Sequence, residues 1–100
     1  MGTIKWTEKA STHLQAIHGY ISKDSLIYAD RFVQALIKST ERLKTLPRSG
    51  RIVPELNEYD FREIIYKNYR IVYLIEENED IGVLAVIHGA RDFKTAFSEE

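Results

Sequence analysis

The chain has 100 residues, of which 44% are hydrophobic and 29% are charged, a size and composition typical of one soluble globular domain. A formal net charge of -1 excludes a protein that coats nucleic acid through a large positive excess. The lack of cysteine excludes disulfides and thiolate metal sites. No apolar run approaches the roughly 20 residues that cross a bilayer, and the first residues lack the apolar core of a secretory signal. We therefore expect one domain over residues 1–100, in the cytoplasm and without a membrane partner.

The first 22 residues predict a short strand and a helix. Thr3 to Trp6 alternates polar and apolar residues, as a half-buried strand does. Thr7 is a good N-cap for a helix. After it, apolar residues that share one helical face recur at Ala10, Leu14, Ile17 and Ile21. The spacing therefore predicts a first helix over about residues 8–22.

A second helix is predicted after a short connection at residues 23–25. Asp24 or Ser25 can act as its N-cap, and a wide apolar stripe extends from there to Leu43. We expect this helix to end near Leu46, because Pro47 disfavours helical geometry in the residue before it. Since the connection is so short, the two helices should form an antiparallel hairpin.

The second half of the chain predicts an antiparallel meander. Pro47 to Tyr59 has no sustained period and is interpreted as a loop. Three β-rich runs follow, from Phe61 to Tyr66, from Tyr69 to Ile75 and from Ile81 to His88. Short turns join them into consecutive hairpins. The predicted fold class is α+β in the order β-α-α-β-β-β, and the pattern assigns no structure to the polar segment from Ala90 to Glu100.

The main candidate site is a cluster of cations at one end of this sheet. Arg70 lies near the start of the middle strand and His88 near the end of its antiparallel neighbour, so both lie at the same end. Arg91 follows shortly after the last strand, and Arg62 joins the cluster if the first hairpin is in register. Such a cluster could hold a phosphate or the carboxylates of a partner.

A structural interpretation of the same residues stays open. Arg70 and Arg91 could pair with Glu63 or Asp92, because structural ion pairs are common. His88 would then merely end a strand.

Charge and side-chain alternation add two expectations. The segment from Lys44 to Arg70, which includes Arg51, is mildly basic, whereas the following turn is acidic. Strict alternation of side chains along each strand assigns the faces of the sheet. It groups Arg70 with Val72 and Leu74, groups His88 with Leu84 and Val86, and places Val83, Ala85 and Ile87 opposite that last set.

The remaining histidines and aromatic residues carry weaker signals. His13 and His18 are five residues apart and therefore do not share a metal-binding face of a helix, so we interpret them as surface histidines. The aromatic residues of the meander cannot all face the core if the strands alternate. These are Tyr59, Phe61, Tyr66, Tyr69 and Tyr73. An exposed aromatic band beside cations favours a protein partner, and no motif predicts a metal or a cofactor.

The order of several short motifs resembles the RelE/ParE superfamily of toxins from bacterial type II toxin-antitoxin systems, over almost the whole chain. The motifs are Trp6, Ala10, Leu14, Ile17, Tyr20-Ile21, Pro47, Gly50-Arg51, Val53-Pro54-Glu55, Arg62-Glu63, Tyr69-Arg70-Ile71-Val72-Tyr73 and Val86-Ile87-His88-Gly89-Ala90-Arg91. The resemblance implies the strand, helical hairpin and sheet described above. It also implies a small antitoxin that neutralises the toxin by wrapping its surface. The complex of the two can bind operator DNA through the antitoxin.

The RelE-like branch of this superfamily implies a ribosome-dependent messenger RNA endonuclease. Its members use two lysines, two arginines and a tyrosine, since cleavage needs groups that move protons and stabilise the charged phosphorane. Arg70 and Arg91 match the two arginines. The lysine positions hold Phe61 and Glu63, and the tyrosine position holds Phe97.

The ParE-like branch implies inhibition of DNA gyrase by binding, which requires no acid-base set. The missing lysines and tyrosine favour this branch, with Arg51, Arg62, Arg70 and Arg91 as target- or phosphate-binding residues. The nuclease stays open as the alternative, because His88 could act as a general base beside Arg70 and Arg91. An inactive orphan or interaction module is a further alternative.

Overall fold

The computed structural model describes residues 2–99. It contains a mixed five-stranded sheet with helices on both faces. The helices and strands are β1 (Ile4–Trp6), α1 (Glu8–Ser22), α2 (Leu26–Ser39), β2 (Arg51–Ile52), β3 (Phe61–Tyr66), β4 (Tyr69–Ile75), β5 (Ile81–His88) and α3 (Phe93–Ser98). The strand order is β1-β5-β4-β3-β2. Within this part of the chain, no helix is long and apolar enough to cross a membrane.

The predicted strand, helical hairpin and antiparallel meander are confirmed, and β3, β4 and β5 have the predicted bounds. Two features of the sheet were not predicted. β1 pairs with β5 in parallel, and β2 forms an edge strand beside β3 inside the segment interpreted as a loop. That loop prediction is therefore wrong at Arg51 and Ile52, because so short a strand carries no periodicity of its own.

Side-chain caps fix where both long helices begin. Thr7 accepts a hydrogen bond from the backbone N–H of Ala10 at 3.1 Å, and Ser25 accepts one from that of Tyr28 at 3.1 Å. These bonds satisfy amide groups that a helix leaves free at its first turn. Of the two candidate caps of α2, Ser25 is therefore the one that acts.

The prediction that α2 runs to Leu46 is wrong, because the helix ends at Ser39. Thr40 ends it by donating both its backbone N–H and its hydroxyl to the carbonyl of Ile37, at 3.0 and 2.7 Å. Hydrogen bonds to the carbonyl three positions earlier, as in a 3-10 helix, tighten the last turn of an α-helix. The chain continues as a 3-10 turn that buries Leu43 in the core, so the apolar stripe is real although its last part is not α-helical.

Apolar residues pack on both faces of the sheet. On the face covered by α1 and α2, buried side chains from the helices meet those of the strands, among them Phe32, Leu36, Ile64, Ile71, Tyr73 and Val83. On the opposite face a smaller cluster lies beneath α3 and the loop after β2, and it contains Val53, Val72, Ala85, Ile87, Phe93 and Ala96. α3 gives structure to most of the segment from Ala90 to Glu100, although Glu100 lies outside the described residues.

The prediction that side chains alternate strictly between the two faces along β5 is wrong at Leu84. Val72 of β4 lies opposite Ala85, but the next residue, Tyr73, lies opposite Val83, so Leu84 is an extra residue. Such a β-bulge reverses the side-chain phase beyond it. Val83 therefore joins Val86 in the core beneath the helices rather than the opposite face.

Candidate functional site

An open pocket lies at the end of the sheet, around the turn between β3 and β4. Its volume is about 460 Å³, and Arg51, Lys67, Asn68, Arg70 and His88 are among the residues that line it. We call it the turn pocket. It brings together three of the residues singled out from sequence, whereas Arg62 and Arg91 do not line it.

Arg70 and His88 lie at the same end of the sheet but on opposite faces. The register places His88 beside Tyr69, so that Arg70 lies beside Ile87. The ring of His88 meets that of Tyr69 edge-on at 5.2 Å, on the face of the long helices. The guanidinium of Arg70 instead lies 4.4 Å from the ring centre of Phe93, on the face of α3. The two side chains therefore flank the turn pocket from its two sides.

All three guanidinium nitrogens of Arg70 donate to carboxylates. Its Nε donates to Glu63 at 2.6 Å, and its two terminal nitrogens donate to the two oxygens of Glu55 at 2.9 and 2.6 Å. This fork lowers the pKa of Glu55 to about 2 and raises that of Arg70 above its ordinary value. Only 12% of the Arg70 side chain is exposed. The structural interpretation made from the sequence, in which Arg70 pairs with Glu63, therefore agrees with the observed contacts of Arg70.

Glu63 connects Arg70 to a second arginine. Its side chain is fully buried, and its other carboxylate oxygen accepts from Nε of Arg51 at 2.5 Å. The contact exists because β2 pairs with β3 and places Arg51 opposite Glu63. A Cβ on Gly50 would lie 2.5 Å from the backbone oxygen of Glu63, so only glycine allows this close approach. Sequence reasoning missed the pair, and the Gly50-Arg51 dipeptide is the signal that could have indicated it.

Arg51 is the exposed member of this charge network, which we define as Arg51, Glu63, Arg70 and Glu55. The side chain of Arg51 is 60% exposed, and its bond to Glu63 uses Nε rather than a terminal nitrogen. Lys67, at the tip of the adjoining turn, has a backbone φ of 53°, a left-handed value that few non-glycine residues adopt. These two cations, rather than Arg70, are the accessible positive charges of the turn pocket.

The prediction that Arg62 joins the cluster is wrong. It pairs with Tyr73, far from the turn that carries Lys67. Its guanidinium donates to the backbone oxygens of Tyr59, Arg48 and Gly50, at 3.1, 3.3 and 3.2 Å. Arg62 is buried and therefore satisfies carbonyl groups of the loop rather than a ligand.

Arg91 does not line the turn pocket either, although Gly89 and Ala90 before it do. Its terminal nitrogen pairs with Glu99 at 3.0 Å, and both side chains are half exposed. Asp92, the partner considered from sequence, instead caps α3 by accepting from the backbone N–H of Thr95 at 3.1 Å. Arg91 therefore connects the start and the end of the C-terminal segment.

The three histidines have different environments. His88 accepts a hydrogen bond at Nδ1 from the backbone N–H of Ala90 at 3.0 Å. His18 pairs with Asp30 at 2.6 Å on the surface. His13 is not a simple surface residue, because its Nδ1 accepts from the backbone N–H of Val86 at 3.0 Å. Burial, helped by Lys9 and Arg91, lowers the pKa of His13, which favours this neutral, accepting form. Within residues 2–99, no three His, Asp or Glu side chains converge as metal ligands would.

Two solved structures share this architecture. A chain of the chromosomal ParDE toxin-antitoxin system from P. aeruginosa superposes with a TM-score of 0.73 and 21% identity, over 88% of this chain and 96% of that chain. A chain of the RelBE2 toxin-antitoxin complex from Mycobacterium tuberculosis superposes with a TM-score of 0.63 and 21% identity, over 87% and 96%. This chain thus shares its fold with one chain of each of these two toxin-antitoxin complexes.

The sequence identifies the family within this fold. The model of the ParE toxin of the type II toxin-antitoxin system parDE matches residues 4–93. The chain therefore belongs to the ParE toxin family. No curated protein matches it significantly.

Proposed function

We propose that this toxin inhibits DNA gyrase by binding it, and that a cognate antitoxin neutralises it in the cytoplasm. The observation that carries the proposal is the engagement of Arg70, whose three guanidinium nitrogens all donate to Glu55 or Glu63. A catalytic arginine must instead reach the phosphorane. Membership in the ParE family supports the same conclusion.

The surface that we propose for the target is the rim of the turn pocket. Arg51 and Lys67 supply positive charge there, and a guanidinium can bind carboxylates or phosphates in forked geometry. Buried Glu63 holds the Nε of Arg51 at 2.5 Å. This contact fixes the orientation of Arg51 before the target arrives, which reduces the entropy lost on binding.

A supercoiling assay tests the proposal. Purified toxin is titrated into gyrase and relaxed plasmid, and we expect supercoiling to fall and a trapped cleavage complex to accumulate. Arg51→Gln should raise the inhibitory concentration by roughly tenfold, as the loss of an interface arginine can. Arg48→Gln is the matched control, because Arg48 is also exposed and paired with a glutamate, Glu79, but does not line the turn pocket.

Normal supercoiling at saturating wild-type toxin would overturn the proposal. Equal inhibition by the Arg51→Gln and Arg48→Gln variants would show that the rim of the turn pocket is not the surface that binds gyrase. The melting temperature of each variant is measured in parallel, so that a loss of folding is recognised.

A ribosome-dependent messenger RNA endonuclease is the second candidate. It is favoured by the turn pocket, which places Arg51, Lys67, Arg70 and His88 around one volume. Primer extension on translated messenger RNA would detect cleavage, and His88→Ala should then abolish it. If neither gyrase inhibition nor cleavage is found and induced expression leaves growth unaffected, the chain is an inactive orphan or an interaction module.

A further inference from the structure

Two aromatic rings and two cations form a continuous stack beside the charge network. The guanidinium of Arg70 lies 4.4 Å from the ring centre of Phe93. This ring is stacked on that of Phe97, with 5.2 Å between the ring centres and 14° between the planes. The ammonium of Lys9, from α1, lies 5.0 Å from the ring centre of Phe97. We call these four residues the C-terminal stack, and it connects α1 to the charge network through α3.

The C-terminal stack holds α3 on the sheet. α3 has only six residues, and a helix this short is not stable by itself in water. Phe93 is 3% exposed and belongs to the apolar cluster on this face. The ammonium of Lys9 also donates to the backbone carbonyl of Phe97. Tertiary contacts near both ends of α3 therefore set the position of the Phe93 ring.

Phe93 and the carboxylates hold different parts of the Arg70 guanidinium. The N–H groups of a guanidinium lie in its plane, so an aromatic ring that packs against the group leaves them free to donate to carboxylates. Arg70 donates from three nitrogens in this way. The ring of Phe93 thus limits the rotation of the guanidinium, while Glu55 and Glu63 fix the direction of its donors.

Glu63 transmits the orientation of Arg70 to Arg51. One carboxylate oxygen of Glu63 accepts from Nε of Arg70 at 2.6 Å, and the other accepts from Nε of Arg51 at 2.5 Å. The Glu63 side chain is fully buried, so its charge depends on these two arginines for compensation. A displaced Arg70 would therefore displace the carboxylate that holds Arg51. Phe93 itself does not line the turn pocket.

We propose that Phe93 is a positioning residue for Arg51. Its ring holds Arg70, which through Glu63 keeps Arg51 in the orientation that binds the target. This inference rests on the proposed function in taking Arg51 as a contact of gyrase. A toxin that keeps its fold but lacks this ring should bind the target more weakly, because Arg51 would then lose more freedom on binding.

The supercoiling assay provides the first test. Phe93→Leu keeps an apolar side chain in the cluster but removes the ring, and we expect it to raise the inhibitory concentration about threefold. This change is smaller than that expected for Arg51→Gln, because Arg51 itself remains. Leu43→Val is the matched control, because Leu43 is also buried but belongs to the cluster beneath the long helices. It should leave the inhibitory concentration unchanged.

A double-mutant cycle separates positioning from packing. In the Arg51→Gln background, Phe93→Leu should cause no additional rise, because Phe93 acts on the target only through Arg51. A ring that merely filled the cluster would instead give additive effects.

Nuclear magnetic resonance tests the positioning without gyrase. In the wild-type toxin the Nε–H of Arg51 should exchange slowly with solvent, because its acceptor is a buried carboxylate. The pKa of Glu55 should be about 2, because the fork of Arg70 favours the charged carboxylate. We expect Phe93→Leu to speed the exchange at Arg51 at least about threefold and to move the pKa of Glu55 upwards. Leu43→Val should change neither.

Phe97→Leu is a milder second variant. Phe97 is only half-buried, and its ring supports Phe93 on the side away from Arg70. The same changes should follow at a smaller size, so the proposal stays testable if Phe93→Leu does not fold.

Unchanged exchange at Arg51 and an unchanged pKa of Glu55 in a folded variant of the C-terminal stack would overturn the proposal. Additive effects of Phe93→Leu and Arg51→Gln would overturn it too, as would an equal loss of inhibition in Leu43→Val. If wild-type toxin does not inhibit gyrase but both resonance changes are found, the gyrase proposal alone fails and the positioning of Arg51 stands.

Discussion

The two faces of the sheet are stabilised by different kinds of contact. On one face, two long helices pack large apolar side chains such as Leu36 against the strands. On the other face, the six-residue α3 covers only a small apolar cluster. The charge network of Arg51, Glu63, Arg70 and Glu55 lies on that same face.

This difference separates stability from recognition. Apolar burial is strong but has no direction, so the helical face can fix the fold without placing a functional group. Charge-assisted hydrogen bonds are directional, and here they orient Arg51 at the rim of the turn pocket. The face with the smaller apolar core is therefore the one that presents an ordered cation.

The largest expected effect is on the helical face. Leu36→Ala should lower the free energy of unfolding by about 2–5 kcal/mol, because it removes a fully buried side chain and leaves a cavity. Leu46→Ala, at an exposed leucine, should change it by less than about 0.5 kcal/mol. Urea denaturation measures both. A loss for Leu36→Ala no larger than that for Leu46→Ala would show that the helical face is not the main source of stability.

An intermediate effect is expected in the charge network. Glu63→Gln should lower the free energy of unfolding by about 1.5–3 kcal/mol, since it weakens hydrogen bonds to two arginines. Glu79→Gln breaks an exposed pair with Arg48 and should cost less than about 1 kcal/mol. Denaturation of both variants in low and high salt checks this ranking, and equal costs would mean that the burial of Glu63 confers no advantage.

The smallest expected effect is a pH dependence at the helical face. The pKa of His13 is lowered from 6.5 in the folded chain, so above about pH 6.5 the neutral side chain keeps its bond to Val86 in full. As the pH falls below that value, the unfolded chain binds the proton more readily and this stability is lost. His13→Gln, which can accept the same bond without titrating, should flatten the decline in melting temperature between about pH 7 and 5. An unchanged decline would show that the protonation of His13 is not its cause. An NMR titration of His13 provides a direct check.

Local patterns determined most of the secondary structure. The cap Thr7 and the apolar spacing after it predicted α1 with the bounds that the structure has. The runs rich in Ile, Val and Tyr did the same for β3, β4 and β5. These features could be predicted because a helical face or an alternating strand is encoded by residues within a few positions of one another.

The site was predicted less well, because its contacts are not local. Arg70 was selected from the sequence, but its bond to Glu55 spans 15 positions and the pair of Arg51 with Glu63 spans 12. The bond of His13 to Val86 spans 73 positions. Such partners depend on strand register and on the bulge at Leu84, neither of which leaves a periodic signal.

The sequence by itself thus determined the first strand, the two-helix hairpin, the three-stranded meander, their order and the family to which the chain belongs. Only the tertiary structure decided which cations are accessible. It engaged Arg70 and Arg62 within the fold and left Arg51 exposed at the pocket. The physical reason is that a guanidinium binds whichever carboxylate or carbonyl the register brings within hydrogen-bonding distance, and the register is fixed by packing across the whole sheet.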